Sequence, residues 1–169
     1  IKFTSDRLMF EIIFLVIICL YFFETVFFII GISKKFEKLP HEKLPSVTVI
    51  VAARNEEKNI INCLTSLNNI DYPEDKIEIV VVNDNSTDNT ENLIQKFIDG
   101  KTKFKFLSTD RQIGKLNGKA NALALAIKSS GNEIILTTDA DCIVPSTWAK
   151  KLASYYQDDV ALVCGYTTQ

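Results

Sequence analysis

The chain opens with a long apolar segment. Residues Leu8–Ile32 are almost all apolar, and Ile12–Phe23 carries no charged side chain. At about 1.5 Å of rise per residue, a helix of this length spans roughly 37 Å, which is enough to cross a hydrocarbon core of about 30 Å. The run is longer than the ~7–15 apolar residues of a signal peptide, and no small-residue cleavage site follows it. The pattern therefore predicts one N-terminal transmembrane helix within residues 1–32.

A charged linker, residues 33–45, follows the apolar segment and contains two prolines. Four lysines lie in this linker, whereas Lys2 and Arg7 are the basic residues that precede the apolar segment. Positive charge accumulates on the cytoplasmic side of membrane helices. We therefore expect this stretch of chain to cross the membrane once and to place the following domain in the cytoplasm, close to membrane lipid.

Beyond residue 45 the pattern changes to short β-branched runs that alternate with amphipathic stretches. Continuous β-branched runs are typical of strands buried on both faces, and apolar residues at helical spacing indicate helices packed on them. The expected strands are Val47–Ala52, Ile77–Val82, Phe104–Leu107, Glu133–Thr138 and Ala161–Cys164, and the expected helices are Glu57–Leu67, Ser86–Phe97, Gly118–Ser129 and Ser146–Tyr156, the last capped by Ser146. This alternation predicts an α/β domain over residues 46–169, with a mostly parallel sheet and flanking helices.

Composition narrows the functional classes. The 169 residues are 47% hydrophobic and 24% charged, which is ordinary for a folded domain and excludes a disordered or low-complexity chain. Nineteen basic residues against 21 acidic ones give no electrostatic basis for binding nucleic acid, so we expect no nucleic-acid partner. The four cysteines form no C-x-x-C pair and there is one histidine, so a structural zinc site lacks ligands and we expect reduced thiols.

Polar residues follow three of the expected strands. They occupy residues 53–56, 83–88 and 138–141. Ligand sites of parallel α/β sheets lie beyond the carboxyl ends of the strands, so these three segments are expected to meet at one edge. Asp84 directly follows the second strand and is placed to accept the imide N–H of a pyrimidine base. Ser86 and Asp88 are also suited to capping the next helix.

Asp139 and Asp141 form a D-x-D motif at the end of the fourth strand. Two carboxylates one residue apart on a turn can approach the same hard cation, and oxygen ligands suit Mn²⁺ or Mg²⁺. Such a cation, held by few protein ligands, can bridge to a diphosphate. The alternative for an isolated D-x-D motif is a solvated acidic turn.

The segment Gly114–Ala120 has some features of a phosphate-binding loop. It departs from the P-loop pattern because Ile113 stands at the first glycine position and Ala120 replaces the Ser or Thr that binds Mg²⁺. Lys119, at the start of an expected helix, is still a candidate for contact with phosphate because helix N-termini favour anions. The alternative is a solvated lysine.

Four segments together carry a family resemblance. They are SVTVIVAARNEEKNI from Ser46, VVVNDNSTDNT from Val80, GKANALALAI from Gly118 and EIILTTDADCIVP from Glu133. Their order and spacing resemble the family 2 glycosyltransferases of the GT-A fold, a Rossmann-like fold, over roughly residues 45–165. The chain departs from the common family pattern at Asn83, where an Asp is frequent, and in AARNE, which replaces a P-x-Y-N-E loop.

The resemblance implies a set of site residues. It puts the nucleoside near Ala53, Arg54, Glu56 and Asp84, and the metal and diphosphate near Asp139 and Asp141, with Lys119 close by. The implied cofactor is Mn²⁺ or Mg²⁺. Because the loop after the first strand lacks the common aromatic residue, stacking of the base on an aromatic ring is not expected, and Arg54 is the alternative stacking partner.

The resemblance also implies an activity. It is inverting, metal-dependent transfer of a sugar from a nucleotide-sugar donor, for which the family favours UDP, to an acceptor hydroxyl at the membrane. The acceptor would be a carbohydrate or a lipid-linked molecule, as in the synthesis of a cell-envelope polysaccharide. Family members carry the catalytic base in the half of the domain that follows the fifth strand. We therefore expect the base beyond Gln169, and expect residues 46–169 to supply a donor-binding half that is truncated at its C-terminal end.

Two alternatives compete with this hypothesis. The sequence DADCI partly resembles the D-x-D-x-T motif of aspartate-nucleophile phosphatases, although Ile143 stands where that motif has Thr. A truncated, membrane-tethered module that binds nucleotides without catalysis is the second alternative.

Overall fold

The fold is known from a computed structural model, which describes residues 2–33, 35–157 and 159–165. The chain divides into two compact units, Ile1–Glu37 and Lys38–Gln169. The first unit is formed by helix α1 (Lys2–Ser33). Within α1, the segment Arg7–Ser33 has a mean hydropathy of 2.8, and no other described helix is long and apolar enough to cross a membrane. Its apolar side chains are exposed around the whole helix, as in a helix whose solvent is lipid.

The second unit contains a four-stranded parallel sheet in the order β3–β2–β1–β4. The strands are β1 (Val47–Ala53), β2 (Ile77–Asn83), β3 (Phe104–Ser108) and β4 (Ile134–Asp139), and the helices are α2 (Ile60–Asn68), α3 (Thr90–Ile98), α4 (Gly118–Ser129) and α5 (Trp148–Ala153). This arrangement confirms the predicted α/β fold with a parallel sheet and flanking helices.

Strand β1 lies inside the sheet and packs against a separate cluster on each face. Its odd-numbered residues, such as Val49, face the larger cluster, which includes the buried faces of α2, α3 and α5. Ile50 faces the smaller cluster, where Ala122 and Ala126 of α4 pack closely against the sheet. Small residues on α4 let this helix approach the strands, so both faces of the sheet are covered.

The segment that precedes β1 packs against the rest of the second unit. Leu44 is 2% exposed, and the hydroxyl of Tyr72 donates a hydrogen bond of 2.5 Å to the carbonyl of Pro45. Burial raises the pKa of the Tyr72 hydroxyl to about 12. Short 3₁₀ helices at His41–Lys43 and Glu74–Lys76 accompany this packing.

The prediction of a fifth strand at Ala161–Cys164 is wrong. The described residues of this segment are irregular, and Leu162 is 78% exposed. The carbonyl of Ala161 accepts a hydrogen bond from the hydroxyl of Tyr156 instead of from a neighbouring strand. A short apolar run forms a strand only where a partner strand pairs with it, and here β4 is the edge of the described sheet.

Two expected helices begin later than the sequence predicts. Helix α2 begins at Ile60 instead of Glu57, and α3 begins at Thr90 instead of Ser86. The preceding loops bond to each other: the backbone N–H of Asn55 donates to Ser86 Oγ at 3.0 Å. These loop contacts replace the helical hydrogen bonds that the first turns would have made.

The last expected helix is shorter than predicted. Helix α5 spans Trp148–Ala153, and its N-cap is Thr147, without a hydrogen bond from the capping side chain. Ser146 is therefore not the cap. Its carbonyl accepts the backbone N–H of Asp71 at 2.9 Å, which holds Ser146 outside the helix.

The packing predicts that removing a buried side chain of α2 greatly lowers the free energy of unfolding. Leu64 is fully buried, so Leu64→Ala should lower the free energy of unfolding by about 2–5 kcal/mol through lost burial and a residual cavity. Ile61→Ala, at a position 37% exposed on the same helix, is the matched control and should cost about 1 kcal/mol or less. Denaturant unfolding followed by the fluorescence of the single tryptophan, Trp148, measures both values. Equal effects would contradict the described burial.

Burial of Cys63 predicts selective thiol chemistry. All four cysteines are free, and burial raises the pKa of the Cys63 thiol from 9.0 to about 12. Iodoacetamide should therefore modify the exposed Cys142 and Cys164 in the native protein and should reach Cys63 only after unfolding. Peptide mass spectrometry measures this order. The folded-state pKa is the higher one, so the unfolded thiol ionises first as the pH rises. The contribution of Cys63 to the free energy of unfolding should therefore be complete below pH 9 and be lost as the pH rises towards 12. Rapid native labelling of Cys63 would contradict its burial.

Candidate functional site

Pairing of three parallel strands places their carboxyl ends together. Ala53 at the end of β1 is in register with Asn83 of β2, and Ala52 is in register with Asp139 of β4. A cavity of about 300 Å³ opens at this edge of the sheet. It is lined by Ala52, Ala53, Arg54, Glu56, Asp84, Gly118, Lys119, Asp139, Ala140 and Asp141. All seven site residues expected from the sequence are therefore brought into one cavity.

Asp84 lies at the deep end of this cavity. Its side chain is 8% exposed, and its backbone N–H donates to the carbonyl of Ala53 at 2.8 Å. The hydroxyl of Thr109 donates to Asp84 Oδ1 at 3.0 Å. Asn85 Nδ2 in turn donates to Thr109 Oγ1 at 2.8 Å. A buried carboxylate needs such partners, and this chain of donors fixes its orientation.

The second oxygen of Asp84, Oδ2, faces Arg54 and Gly118. Arg54 Nη1 lies 3.8 Å from Oδ2, at the long end of the ion-pair range, and the Arg54 side chain is 62% exposed. Because the Arg54 side chain is exposed and the distance is long, this ion pair contributes little stability, and the guanidinium is free to turn towards a ligand. At Gly118, an added Cβ would stand 3.7 Å from Oδ2. The glycine leaves open the space in front of that oxygen, and its φ of +54° is one that residues with a side chain rarely adopt.

The D-x-D motif forms the other end of the cavity. Asp139 and Asp141 are exposed, and Lys119 Nζ makes an ion pair with Asp139 Oδ1 at 2.5 Å. The backbone N–H of Cys142 donates to the carbonyl of Asp139 at 3.1 Å, and Cys63 Sγ lies 3.6 Å from the same oxygen. These two contacts hold the turn that carries both carboxylates.

The donor set at this turn fits a divalent cation that is only partly held by protein. Asp139 and Asp141 supply oxygen ligands, which Mg²⁺ and Mn²⁺ prefer. Within the described parts of the chain, no group of three or more His, Cys, Asp or Glu side chains is placed to hold a metal ion. Two carboxylates leave further coordination positions of such a cation open to other ligands, such as water and phosphate oxygens.

The loop after β1 is braced against the loop after β2. Glu56 lines the cavity; its backbone N–H donates to Thr90 Oγ1 at 2.8 Å, and its carboxylate accepts Asn59 Nδ2 at 2.8 Å. Asp88 accepts the side-chain and backbone donors of Thr90, which lower the pKa of the Asp88 carboxyl. Asp88 therefore bonds to the first residue of α3, but the N-cap of that helix is Asn89, so neither Asp88 nor Ser86 is the expected cap.

The loop between β3 and α4 is anchored by a buried asparagine. Asn121 Oδ1 accepts the backbone N–H of Ile113 at 2.8 Å, and its Nδ2 donates to the carbonyl of Arg111 at 2.9 Å. The side chain of Asn117, the N-cap of α4, accepts Gln112 Nε2 and does not cap the helix. The first amides of α4 beside Lys119 are thus free of a capping side chain and favour an anion in the cavity.

Sequence reasoning missed three residues that shape the cavity. Thr109 follows β3 and holds Asp84, Gly118 opens the space before it, and Cys63 of α2 contacts the D-x-D turn. Thr109 directly follows β3, just as the candidate polar residues directly follow β1, β2 and β4. That position could have predicted the role of Thr109. The roles of Gly118 and Cys63 depend on contacts between segments that are far apart in sequence.

Comparisons with known proteins agree with this geometry. The family model described as Glycosyl transferase family 2 matches residues 48–168. A curated relative, "Probable glycosyltransferase YdaM" of Bacillus subtilis (strain 168), is 36% identical over 116 residues. The match covers 68% of this chain and 26% of the relative, so the chain spans about a quarter of that protein's length.

Two solved structures resemble the fold. A mannosyltransferase, PcManGT from Pyrobaculum calidifontis in complex with GDP-Man and Mn²⁺, has a TM-score of 0.66 and 30% identity over 84% of this chain and 41% of its own. S. aureus TarS 1-349 in complex with UDP-GlcNAc has a TM-score of 0.53 and 30% identity over 63% of this chain and 29% of its own. With the family match covering nearly all of the second unit, the chain belongs to glycosyl transferase family 2.

Proposed function

We propose that the second unit binds the nucleotide of a sugar donor, and that the protein transfers this sugar to an acceptor hydroxyl at a membrane. The main support for this proposal is that Asp84, Asp139 and Asp141 line the same cavity at the carboxyl edge of the sheet. A nucleoside diphosphate has a polar base at one end and a charged diphosphate at the other. The cavity offers a buried carboxylate for the first and a carboxylate pair with Lys119 for the second.

The base subsite is built around Asp84. The carboxylate accepts an N–H from the base, and Arg54, beside it, is placed to donate to a neighbouring carbonyl. Ala53 and Glu56 complete the wall that faces the nucleoside. The two solved relatives were determined with a UDP-linked and a GDP-linked sugar, so the fold itself allows either base. We propose a UDP-linked donor because Oδ1 of Asp84 is engaged by the Thr109 hydroxyl, which leaves Oδ2 for the single N–H of uracil.

The diphosphate subsite is built around the D-x-D turn. Asp139 and Asp141 would hold Mn²⁺ or Mg²⁺, the former being the ion in the mannosyltransferase complex. When bound, the cation supplies Lewis-acid stabilisation of the charge on the departing nucleoside diphosphate. Lys119 and the first amides of α4 add positive potential at the same end of the cavity.

Transfer itself needs a base that removes the proton of the acceptor hydroxyl. We assign the described residues to donor binding and name no catalytic base among them. Helix α1 would hold the domain at the membrane with the cavity on the cytoplasmic side, where a carbohydrate or lipid-linked acceptor is reached. Family membership argues against the aspartate-nucleophile phosphatase alternative. Metal-dependent nucleotide binding without turnover would instead favour the non-catalytic module.

The metal assignment predicts a strong effect at Asp141. UDP binding to the full-length protein in detergent should require Mn²⁺ or Mg²⁺, and Asp141→Asn should weaken it at least about tenfold, or about 1.4 kcal/mol. The physical reason is the loss of an anionic ligand from a cation with few protein ligands. Titration calorimetry with and without EDTA measures both effects.

A matched control separates this site from general loss of charge. Asp99→Asn, at the end of α3 and outside the cavity, removes the same charge and should leave UDP affinity unchanged. Unchanged affinity in Asp141→Asn, or binding that ignores EDTA, would refute the metal assignment.

The base assignment predicts that Asp84 responds to the imide proton of uracil. Asp84→Asn replaces an acceptor with a group that can turn an N–H towards the base, so UDP affinity should fall by about tenfold or more. 3-Methyl-UDP lacks the imide N–H and should bind the unchanged protein as weakly as UDP binds Asp84→Asn. The affinity for 3-methyl-UDP should fall little further in Asp84→Asn, because both changes remove the same hydrogen bond. Fully additive losses in calorimetry would contradict this pairing.

A further inference from the structure

We propose that Thr109 is a positioning residue that makes Asp84 select uracil over guanine. The inference rests on the proposed function, because it concerns the base subsite of the same cavity. It goes further by assigning base selectivity to a residue that does not line the cavity.

The first support is the way Thr109 is held. Thr109 is 8% exposed, and its backbone N–H donates to the carbonyl of Asn83 at 3.1 Å. Its hydroxyl oxygen accepts Asn85 Nδ2 at 2.8 Å, so the single hydroxyl proton is left for Asp84 Oδ1 at 3.0 Å. Asn85 itself is fixed at a φ of +52°, in the left-handed region that asparagine tolerates. The direction of the Thr109 donor is therefore set by its surroundings.

The second support is the unequal environment of the two Asp84 oxygens. Oδ1 is held by the buried hydroxyl of Thr109. Oδ2 is the oxygen near Arg54 and near the open space at Gly118, at 3.8 Å from Arg54 Nη1 and 3.7 Å from the position of an added glycine Cβ. Oδ1 is therefore engaged by a protein hydroxyl, and Oδ2 is the oxygen that lies beside the cavity-lining Arg54 and Gly118.

The chemistry of the two bases turns this asymmetry into selectivity. Uracil presents one N–H between two carbonyl groups, so a single acceptor oxygen beside a guanidinium satisfies it. Guanine presents two adjacent donors, N1–H and the exocyclic amine, which pair best with both oxygens of a carboxylate. Because Thr109 holds Oδ1, the second guanine donor would be buried without a partner, which is costly. Discrimination by an unpaired polar group is stronger than discrimination by shape.

The test is the ratio of GDP to UDP dissociation constants, measured by calorimetry with Mn²⁺ on the full-length protein in detergent. The unchanged protein should prefer UDP. Thr109→Val removes the hydroxyl and keeps the shape, so Oδ1 is released and the preference should fall about three- to tenfold. Thr109→Ser keeps the donor and should retain the preference. Thr137→Val, the same change at an exposed position of β4 outside the cavity, is the matched control and should match the unchanged protein.

The outcomes separate this inference from the proposed function. Failure of both nucleotides to bind the unchanged protein, or equal binding of the two, overturns the proposed UDP site and the inference with it. A UDP preference that stays constant in Thr109→Val overturns only the role of Thr109. If thermal unfolding shows that Thr109→Val does not fold, Thr109→Ala removes the same hydroxyl without a branched side chain, and its ratio decides. An equal loss of preference in Thr109→Ser would also contradict the proposal, because the serine hydroxyl should restore it.

Discussion

The parallel pairing of β1 with β2 on one side and with β4 on the other is the constraint on which the site depends. This pairing ends three strands at the same level, since Ala53 is in register with Asn83 and Ala52 with Asp139. A slip of one residue would reverse the faces of a strand and remove its side chains from the cavity. The covering of β1 on both faces fixes that register, because Val49 and Ile50 pack into separate clusters.

The carboxylates depend on the loops that follow those strands. Thr109 and the backbone of Ala53 hold Asp84 in a buried position, which suits the proposed role of its carboxylate as the acceptor for a base. Asp139 is held differently: its carbonyl is bonded while its carboxylate stays exposed beside Lys119. One end of the cavity therefore holds a buried carboxylate of fixed orientation, and the other holds exposed charged side chains. This division matches the two ends of a nucleoside diphosphate.

Much of this was predictable from residue pattern alone. β-Branched runs gave the four described strands to within about one residue, and polar residues just after them indicated the edge at which a ligand would bind. The expected strand at Ala161–Cys164 failed because an apolar run does not specify a partner. The helix starts at Glu57 and Ser86 failed because the two loops bond to each other, through contacts such as Asn55 to Ser86. The role of Thr109 was hidden for the same reason, since it lies 25 residues from Asp84 in sequence.

The central claim is that Asp84 and the D-x-D turn hold opposite ends of one nucleoside diphosphate. The most direct measurement is a crystal structure of the full-length protein with UDP and Mn²⁺, using anomalous scattering to locate the manganese. We expect a manganese peak bound to a carboxylate of Asp139 or Asp141 and to the diphosphate, with the uracil imide N–H on Asp84 Oδ2. A metal peak away from the D-x-D turn, or a base that does not contact Asp84, would contradict it.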